Sequence, residues 1–209
     1  MSNFNLGKFI ESDDVLTLNK IIDNSNAKME GNILYRHHSD FDLHGMEKED
    51  ARSNLYYLSK ISSNLVEVGF NGGHSAALFF HANPDINLLS FDLCDHRYTE
   101  LCLDYLKTKY RIEFIKGDSI QTIPQHQNHS KYDMIHIDGG HGKNICSSDI
   151  LNCKMFADEQ SFLVIDDTYL QGIREAINNL MHSKLIYEIH YENFGLKKTE
   201  QHRIFKYRM

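Results

Sequence analysis

The sequence predicts an α/β fold with a doubly wound, mostly parallel sheet of seven strands, an antiparallel C-terminal hairpin and a helical N-terminal extension. Three observations predict it. After residue 63, five short apolar segments alternate with helical patterns, and each ends in a glycine turn or an acid. The chain then closes with two strand-like segments that no helical pattern separates, whereas residues 1–62 carry helical patterns and no strand pattern.

Two amphipathic helices are predicted ahead of the sheet. Ser12 is a candidate N-cap for the first, and the second is expected over residues 46–61. Between them, the polar and aromatic segment Tyr35–His44 shows no periodicity and is a candidate lid or substrate wall. We therefore predict a helical extension or lid over residues 1–62 and a core over residues 63–209.

The first predicted strand runs into a glycine-rich turn and then a helix. Glu67 is the one acid in this otherwise apolar strand, and Gly69 opens the turn. Glycine permits positive φ and close approach of a ligand, and a helix start offers free N–H groups to a nucleotide. The dinucleotide pattern G-x-G-x-x-G is absent, because Asn71 and His74 stand where its second and third glycines would be. This disfavours a nicotinamide oxidoreductase.

Acids also end the later strands. Asp92 follows the second strand, and a carboxylate there can accept hydrogen bonds from both ribose hydroxyls of a nucleoside, although an N-cap role explains it equally well. Because parallel strands meet at their carboxyl ends, we expect the strand-end groups to share one rim. These groups are Asp92, Asp118, Ser119, Asp138, Asp166 and Asp167.

Composition narrows the class of protein. The chain has 209 residues, enough for one domain with a sizeable core, and its net charge of −7 argues against nucleic acid as the main partner. It has no apolar run long enough for a membrane span and no signal-peptide pattern, so we expect no membrane association and a cytoplasmic location. The four cysteines include no CxxC pair and are expected to be reduced thiols. Assembly into a homo-oligomer stays open.

The glycine turn resembles a known motif. The segment Glu67-Val-Gly-Phe-Asn-Gly-Gly73 is similar to motif I of the class I S-adenosylmethionine-dependent methyltransferases, which reads acidic-x-Gly-x-x-x-Gly. The resemblance covers residues 64–209 and implies a Rossmann-like core that binds S-adenosylmethionine, with Asp92 on the ribose and Asp118 and Ser119 around the adenine. The implied cofactor-binding residues are Glu67, Gly69, Phe70, Asn71, Gly73, His74, Ser75, Asp92, Asp118, Ser119 and Asp138.

A second resemblance concerns the ends of the fourth and fifth strands. The Asp138-Gly-Gly-His141 turn and the Asp166-Asp167 pair resemble the metal-dependent O-methyltransferases of the macrolide-sugar and cephalosporin-hydroxylase-like branch. Three carboxylates on one rim repel one another, and Mg²⁺ would relieve that repulsion. The resemblance implies Asp138, Asp166 and Asp167 as Mg²⁺ ligands, His141 as general base, and a catalytic part for Asp138.

Structural interpretations of the same residues stay open. Asp166 or Asp167 could cap the helix that follows, and His141 could bond only to turn backbone. His136, inside the fourth strand, is better interpreted as a buried core histidine than as a ligand.

The predicted function is methyl transfer from S-adenosylmethionine to a hydroxyl of a small-molecule acceptor, with a sugar as one candidate and Mg²⁺ assisting. Two alternatives remain. One is a metal-independent methyltransferase whose aspartates are structural. The other is a catalytically inactive methyltransferase-like scaffold that acts through a partner.

Overall fold

A computed structural model describes residues 4–27, 29, 31, 33–34, 48–127 and 130–209. Its strands are β1 (Asn64–Val68), β2 (Asn87–Asp92), β3 (Arg111–Lys116), β4 (Met134–Ile137), β5 (Phe162–Ile165), β6 (Ile186–Glu188) and β7 (Arg203–Tyr207). They form one seven-stranded sheet in the order β3-β2-β1-β4-β5-β7-β6. Strands β1 to β5 pair in parallel, and β7 is antiparallel to both β5 and β6. This confirms the Rossmann-like, doubly wound sheet and its C-terminal hairpin.

Eight α-helices accompany the sheet within the described residues. They are α1 (Leu6–Ile10), α2 (Asp13–Asn24), α3 (Glu49–Ile61), α4 (His74–Ala82), α5 (Thr99–Lys107), α6 (Ser119–Gln125), α7 (Lys143–Cys153) and α8 (Gln171–His182). Ser12 caps α2, as predicted, by accepting from the Val15 N–H. The predicted second helix is described from Glu49 onward, and residues 46–47 and the candidate wall Tyr35–His44 lie outside the described residues.

The helices cover both faces of the sheet. Helices α2 to α5 pack on one face, where β1 contributes Leu65, and α6 to α8 pack on the other, where β1 contributes Val66 and Val68. Alternate residues of a strand point to opposite faces, so Glu67 faces the same layer as Leu65. Among the described residues, every helix is too short or too polar to cross a membrane. The division at residue 62 stays a prediction.

Asp14 anchors the N-terminal helix α2 to the core. Its carboxylate accepts hydrogen bonds from the Tyr105 hydroxyl at 2.9 Å, Lys109 Nζ at 2.6 Å and the Tyr110 hydroxyl at 2.6 Å. Burial alone would raise the pKa of Asp14, but these bonds and the Lys109 charge outweigh it, and the pKa is lowered. The folded state therefore favours the ionised carboxylate.

We expect Asp14→Ala to lower the free energy of unfolding by about 2 kcal/mol at pH 7, the typical contribution of hydrogen bonds to a charged group. Because folding lowers the pKa of Asp14, the stabilisation is present above the ordinary carboxyl pKa of 3.8 and is lost as pH falls through the lower folded value. Urea unfolding at pH 7 and pH 3 measures both effects. Asp13→Ala, at the exposed neighbouring position, is the control, and an equal loss in the two variants would contradict the prediction.

Candidate active site

A cavity of about 550 Å³ opens at the carboxyl ends of the parallel strands. A volume of this size suits a small-molecule ligand. Its wall contains residues from the glycine turn, from the ends of β2, β4 and β5, and from the segments before α3. Of the residues predicted from the sequence, it includes Gly69, Asn71, Asp92, Ser119, Asp138, His141, Asp166 and Asp167.

The other predicted residues do not line this cavity. The Glu67 side chain is fully buried beneath the sheet end and accepts from the Ser90 hydroxyl at 3.1 Å; burial, the largest cause, raises its pKa to about 8. His74 Nε2 lies 2.9 Å from Asn19 Oδ1. Six residues predicted to bind the cofactor are not among those that line the cavity, and their part in binding stays a prediction: Glu67, Phe70, Gly73, His74, Ser75 and Asp118.

Gly69 allows the glycine turn to pass close to the backbone of Asp138, the residue that follows β4. Its φ is +97°, and a Cβ built on it would lie 2.0 Å from the backbone oxygen of Asp138. Gly73, at φ +75°, opens α4 where a Cβ would lie 2.8 Å from the Phe70 ring. Both positions require glycine, so the predicted positive-φ backbone of the turn is confirmed, and the close approach of a ligand stays a prediction.

Asp92 holds the glycine turn in place. Its Oδ2 accepts from the backbone N–H groups of Phe70 at 2.8 Å and Asn71 at 2.9 Å, and its Oδ1 accepts from Cys94 N at 2.6 Å. The next helix, α5, begins at Thr99, so Asp92 is not its N-cap. A carboxylate has about four acceptor positions, which leaves capacity for a ligand hydroxyl.

Asp149 is a site residue that sequence reasoning missed. Its Oδ1 accepts from the Ser119 hydroxyl at 2.6 Å, and its Oδ2 would lie 3.4 Å from a Cβ at Gly139, so it supports two parts of the cavity wall. Burial is the largest cause that raises the pKa of Asp149 to about 6. Asp149 lies on the buried side of α7, and an acid at such a position was the signal by which the sequence could have identified it. Asp118, by contrast, caps α6 by accepting from Ile120 N at 3.0 Å.

The strand register brings the predicted acids together. Ile137, the last residue of β4, pairs with Ile165, the last residue of β5, so the next residues, Asp138 and Asp166, lie side by side. The Asp166 N–H donates to the Ile137 carbonyl at 2.9 Å. His136, Asp138 and Asp166 can each offer one ligand atom, and these atoms lie within 4.8 Å of one another. His136 is fully buried, as the core interpretation predicted, yet it belongs to this group.

The acid cluster consists of Asp138, Asp166 and Asp167, and burial and mutual repulsion both shift the pKa values of its carboxyl groups. Burial raises the pKa of Asp138, and the charges of Asp166 and Asp167 raise it further. Burial also raises the pKa of Asp166 to about 7, with the Asp167 charge adding to the rise. The charge of Lys48, which sequence reasoning did not single out, lowers both values. At neutral pH the cluster therefore favours either a proton or a cation.

His141 and Asp167 form a hydrogen-bonded pair on the cavity wall. His141 Nε2 lies 2.9 Å from Asp167 Oδ2, and the imidazole is 56% exposed. Burial would raise the pKa of Asp167, but the hydrogen bond from His141 and the charges of Lys48 and His141 outweigh it and lower that pKa. The pair holds the imidazole in one orientation, which is how a carboxylate prepares a histidine for proton transfer.

The proposed helix-capping role of the two acids at the end of β5 does not occur. Helix α8 begins at Gln171, and its N-cap, Leu170, makes no side-chain capping bond. Asp167 instead takes a positive φ of 53°. The turn thus presents its carboxylate to the cavity rather than to the helix.

Residues 66–168 match a family model described as a methyltransferase domain. No curated protein matches the chain significantly. The matched segment contains the glycine turn, Asp92 and the acid cluster.

Solved structures share the fold over nearly the whole chain. The S-adenosylhomocysteine-bound methyltransferase PaMTH1 of Podospora anserina has a TM-score of 0.67 at 10% identity, covering 95% of this chain and 89% of that one. The O-methyltransferase TomG of Streptomyces achromogenes, involved in tomaymycin synthesis and solved with S-adenosylmethionine, has a TM-score of 0.63 at 14% identity, with 93% and 88% covered. CalS11, a TDP-rhamnose 3'-O-methyltransferase of calicheamicin biosynthesis, has a TM-score of 0.58 at 15% identity, with 94% and 95% covered. At these identities the likeness establishes the fold.

Proposed function

We propose that this chain is a class I S-adenosylmethionine-dependent methyltransferase that methylates a hydroxyl oxygen of a small-molecule acceptor. The methyltransferase-domain match of residues 66–168 and the shared fold support the proposal. One observation carries the proposal. A single cavity is lined both by the glycine turn with Asp92, which suits a nucleoside, and by the His141–Asp167 pair, which suits proton removal.

The reaction is an in-line displacement. The acceptor oxygen forms a bond to the methyl carbon, the bond from that carbon to sulfur breaks, and the electron pair stays on sulfur to give S-adenosylhomocysteine. The hydroxyl proton passes to His141. With Nε2–H donating to Asp167, Nδ1 is the nitrogen that takes the proton. General base catalysis of this kind contributes about 10²- to 10⁴-fold to a rate.

The acceptor is best chosen among neutral polyhydroxylated molecules, sugars included. The described part of the cavity wall carries more carboxylates than basic groups, so an acidic acceptor would be repelled. The shared fold of the TDP-rhamnose O-methyltransferase supports a sugar as the first class to test.

The acid cluster fits a divalent cation. Asp138, Asp166 and Asp167 line one cavity. Burial, with the charges of neighbouring acids adding to it, raises the pKa values of Asp138 and Asp166, and a bound cation would favour their ionised forms. These three residues would hold a divalent cation, with Mg²⁺ as the one implied by the resemblance, and a bound cation would lower the pKa of a coordinated acceptor hydroxyl.

Cation binding should strengthen as pH rises from 6 to 8. In the metal-free protein Asp166 has a pKa of about 7, so below that pH a proton must leave before a cation binds. We expect the affinity to fall by about tenfold per pH unit below pH 7. Calorimetric titration in two buffers of different ionisation enthalpy measures the affinity and the released proton together. An affinity that does not change between pH 6 and pH 8 would contradict the prediction.

The function is tested by titrating the protein with S-adenosylmethionine and S-adenosylhomocysteine, with Mg²⁺ and with chelator. Micromolar binding of both nucleosides supports the proposal and justifies screening neutral sugars and free glycosides for formation of S-adenosylhomocysteine. Methyl transfer that persists in chelator would favour the metal-independent alternative. Absence of nucleoside binding under every condition would favour the inactive scaffold.

A further inference from the structure

Three buried polar side chains form a row across the sheet. The register pairs Ser90 with Glu67 and Glu67 with His136, so all three point to the same face of β2, β1 and β4. Each is 0% exposed. The Ser90 hydroxyl donates to Glu67 Oε2 at 3.1 Å, and Glu67 Oε1 lies 4.0 Å from His136 Nδ1.

The row is incompletely bonded. Among the described residues, Glu67 Oε1 and both ring nitrogens of His136 have no hydrogen-bond partner. A buried polar atom without a partner costs about 1–3 kcal/mol, so three in one row call for a compensating ligand.

The row ends at the acid cluster. His136 lies in β4 and Asp138 directly follows this strand, so the two side chains point to the same face. Asp166 directly follows β5, which pairs with β4. The ligand atoms of His136, Asp138 and Asp166 lie within 4.8 Å of one another, close enough to surround one cation. A buried histidine whose ring nitrogens have no hydrogen-bond partner among the described residues thus points into the same space as the two acids.

We propose that His136 is a ligand of the cation in this site, and that the cation is a transition-series divalent ion in preference to Mg²⁺. The inference rests on the proposed function only in placing a cation at Asp138 and Asp166. Imidazole suits Fe²⁺, Co²⁺, Ni²⁺ and Zn²⁺, whereas Mg²⁺ prefers oxygen ligands alone.

Glu67 supplies the carboxylate that orients His136 when the imidazole binds the cation. A histidine that binds a metal through one nitrogen usually donates its other N–H to a carboxylate, which orients the ring and raises its basicity. Since Nδ1 of His136 faces Glu67, Nε2 is the nitrogen that reaches the cation, and a small closure of the 4.0 Å gap makes the Glu67 bond. All three unpartnered atoms then have partners. Glu67, a residue predicted for the cofactor, becomes a positioning residue for the metal.

The test uses Mn²⁺ as a spectroscopic probe in the full chain. Pulsed electron paramagnetic resonance detects magnetic coupling to ¹⁴N when a nitrogen binds the ion. We expect coupling in the wild type and its loss in His136→Asn. His202→Asn removes another fully buried histidine and should keep the coupling, as should His141→Gln, which removes the exposed imidazole on the cavity wall.

Affinity supplies an independent readout. In calorimetric titrations of wild type, Co²⁺ should bind at least about tenfold more tightly than Mg²⁺. Glu67→Gln should weaken Co²⁺ binding by about 10- to 100-fold, the usual effect of removing the group that orients a ligand. Ser90→Ala, one step further along the row, should weaken it less.

Several results would overturn the inference. These are the absence of ¹⁴N coupling in the wild type, coupling that disappears in His141→Gln rather than His136→Asn, or a preference for Mg²⁺. A water that bridges Glu67 and His136 without any cation would give the first result. If His136→Asn does not fold, retention or loss of the coupling in His141→Gln decides the matter. S-adenosylhomocysteine titration of the same samples separates the two proposals, because nucleoside binding without nitrogen ligation contradicts only the metal assignment.

Discussion

Replacing Asp92 with alanine should weaken S-adenosylhomocysteine binding by about 10- to 100-fold. The carboxylate has two parts in the proposed complex. It accepts hydrogen bonds from the backbone N–H groups of Phe70, Asn71 and Cys94, which holds the glycine turn against the cavity, and it keeps acceptor capacity for a ribose hydroxyl. Loss of hydrogen bonds to a charged group costs about 1.5–3 kcal/mol, and about 1.4 kcal/mol changes affinity tenfold.

Two variants make the Asp92 result specific. Asp104→Ala removes an exposed acid from the neighbouring helix α5 and should bind the nucleoside like the wild type. Asp92→Asn keeps a hydrogen-bond acceptor without the charge and should lie between the wild type and Asp92→Ala. Calorimetric titration gives the three affinities, and circular dichroism checks that each variant is folded. Binding within about threefold of wild type in Asp92→Ala would show that the carboxylate does not hold the nucleoside.

Gly69→Ala should lower the free energy of unfolding by about 4 kcal/mol or prevent folding. Its φ of +97° is strained for any residue with a Cβ, and that Cβ would lie 2.0 Å from the backbone oxygen of Asp138. A backbone oxygen cannot rotate away as a side-chain tip can, so β1 and β4 would have to separate. The shift would also displace Asp138, so nucleoside or cation binding should weaken in any variant that folds.

Alanine substitutions at two further glycines distinguish the cost of backbone strain from the cost of a steric clash. Gly195→Ala has a positive φ of +66° but meets no atom within 4 Å, so it should cost about 1–2 kcal/mol. Gly72→Ala meets Ile22 Cδ1 at 2.9 Å, the end of a flexible side chain, and should cost less than Gly69→Ala. Urea unfolding at 25 °C ranks the three variants. Equal losses at positions 69 and 195 would mean that the approach to Asp138 does not constrain the turn.

Local pattern was enough to predict the architecture. Alternating apolar segments and helical periodicity predicted the order of β1 to β5 and the terminal hairpin, because both are properties of neighbouring residues. The gathering of Asp92, Asp138, Asp166 and Asp167 was also predictable, because parallel strands that start from one edge end at the opposite one.

The direction of individual side chains was not predictable in the same way. Glu67 and Gly69 belong to one motif, yet Gly69 lines the cavity whereas Glu67 lies buried against Ser90. Successive strand residues point to opposite faces, and the sequence of one strand does not state which face is covered by helices and which groups lie opposite. For the same reason, a pattern that marked His136 as a core histidine could not reveal that it is also next to Asp138 and Asp166.

The sequence by itself determined the Rossmann-like fold, the glycine turn and the rim of acids, since each depends on residue type and spacing along the chain. Only the tertiary structure decided which of those residues meet. Lys48 lies far from Asp138 and Asp166 in the sequence, and Asp149 comes from α7, but both act on the cavity wall. Their positions depend on helix packing and strand register, which are long-range contacts that local sequence does not encode.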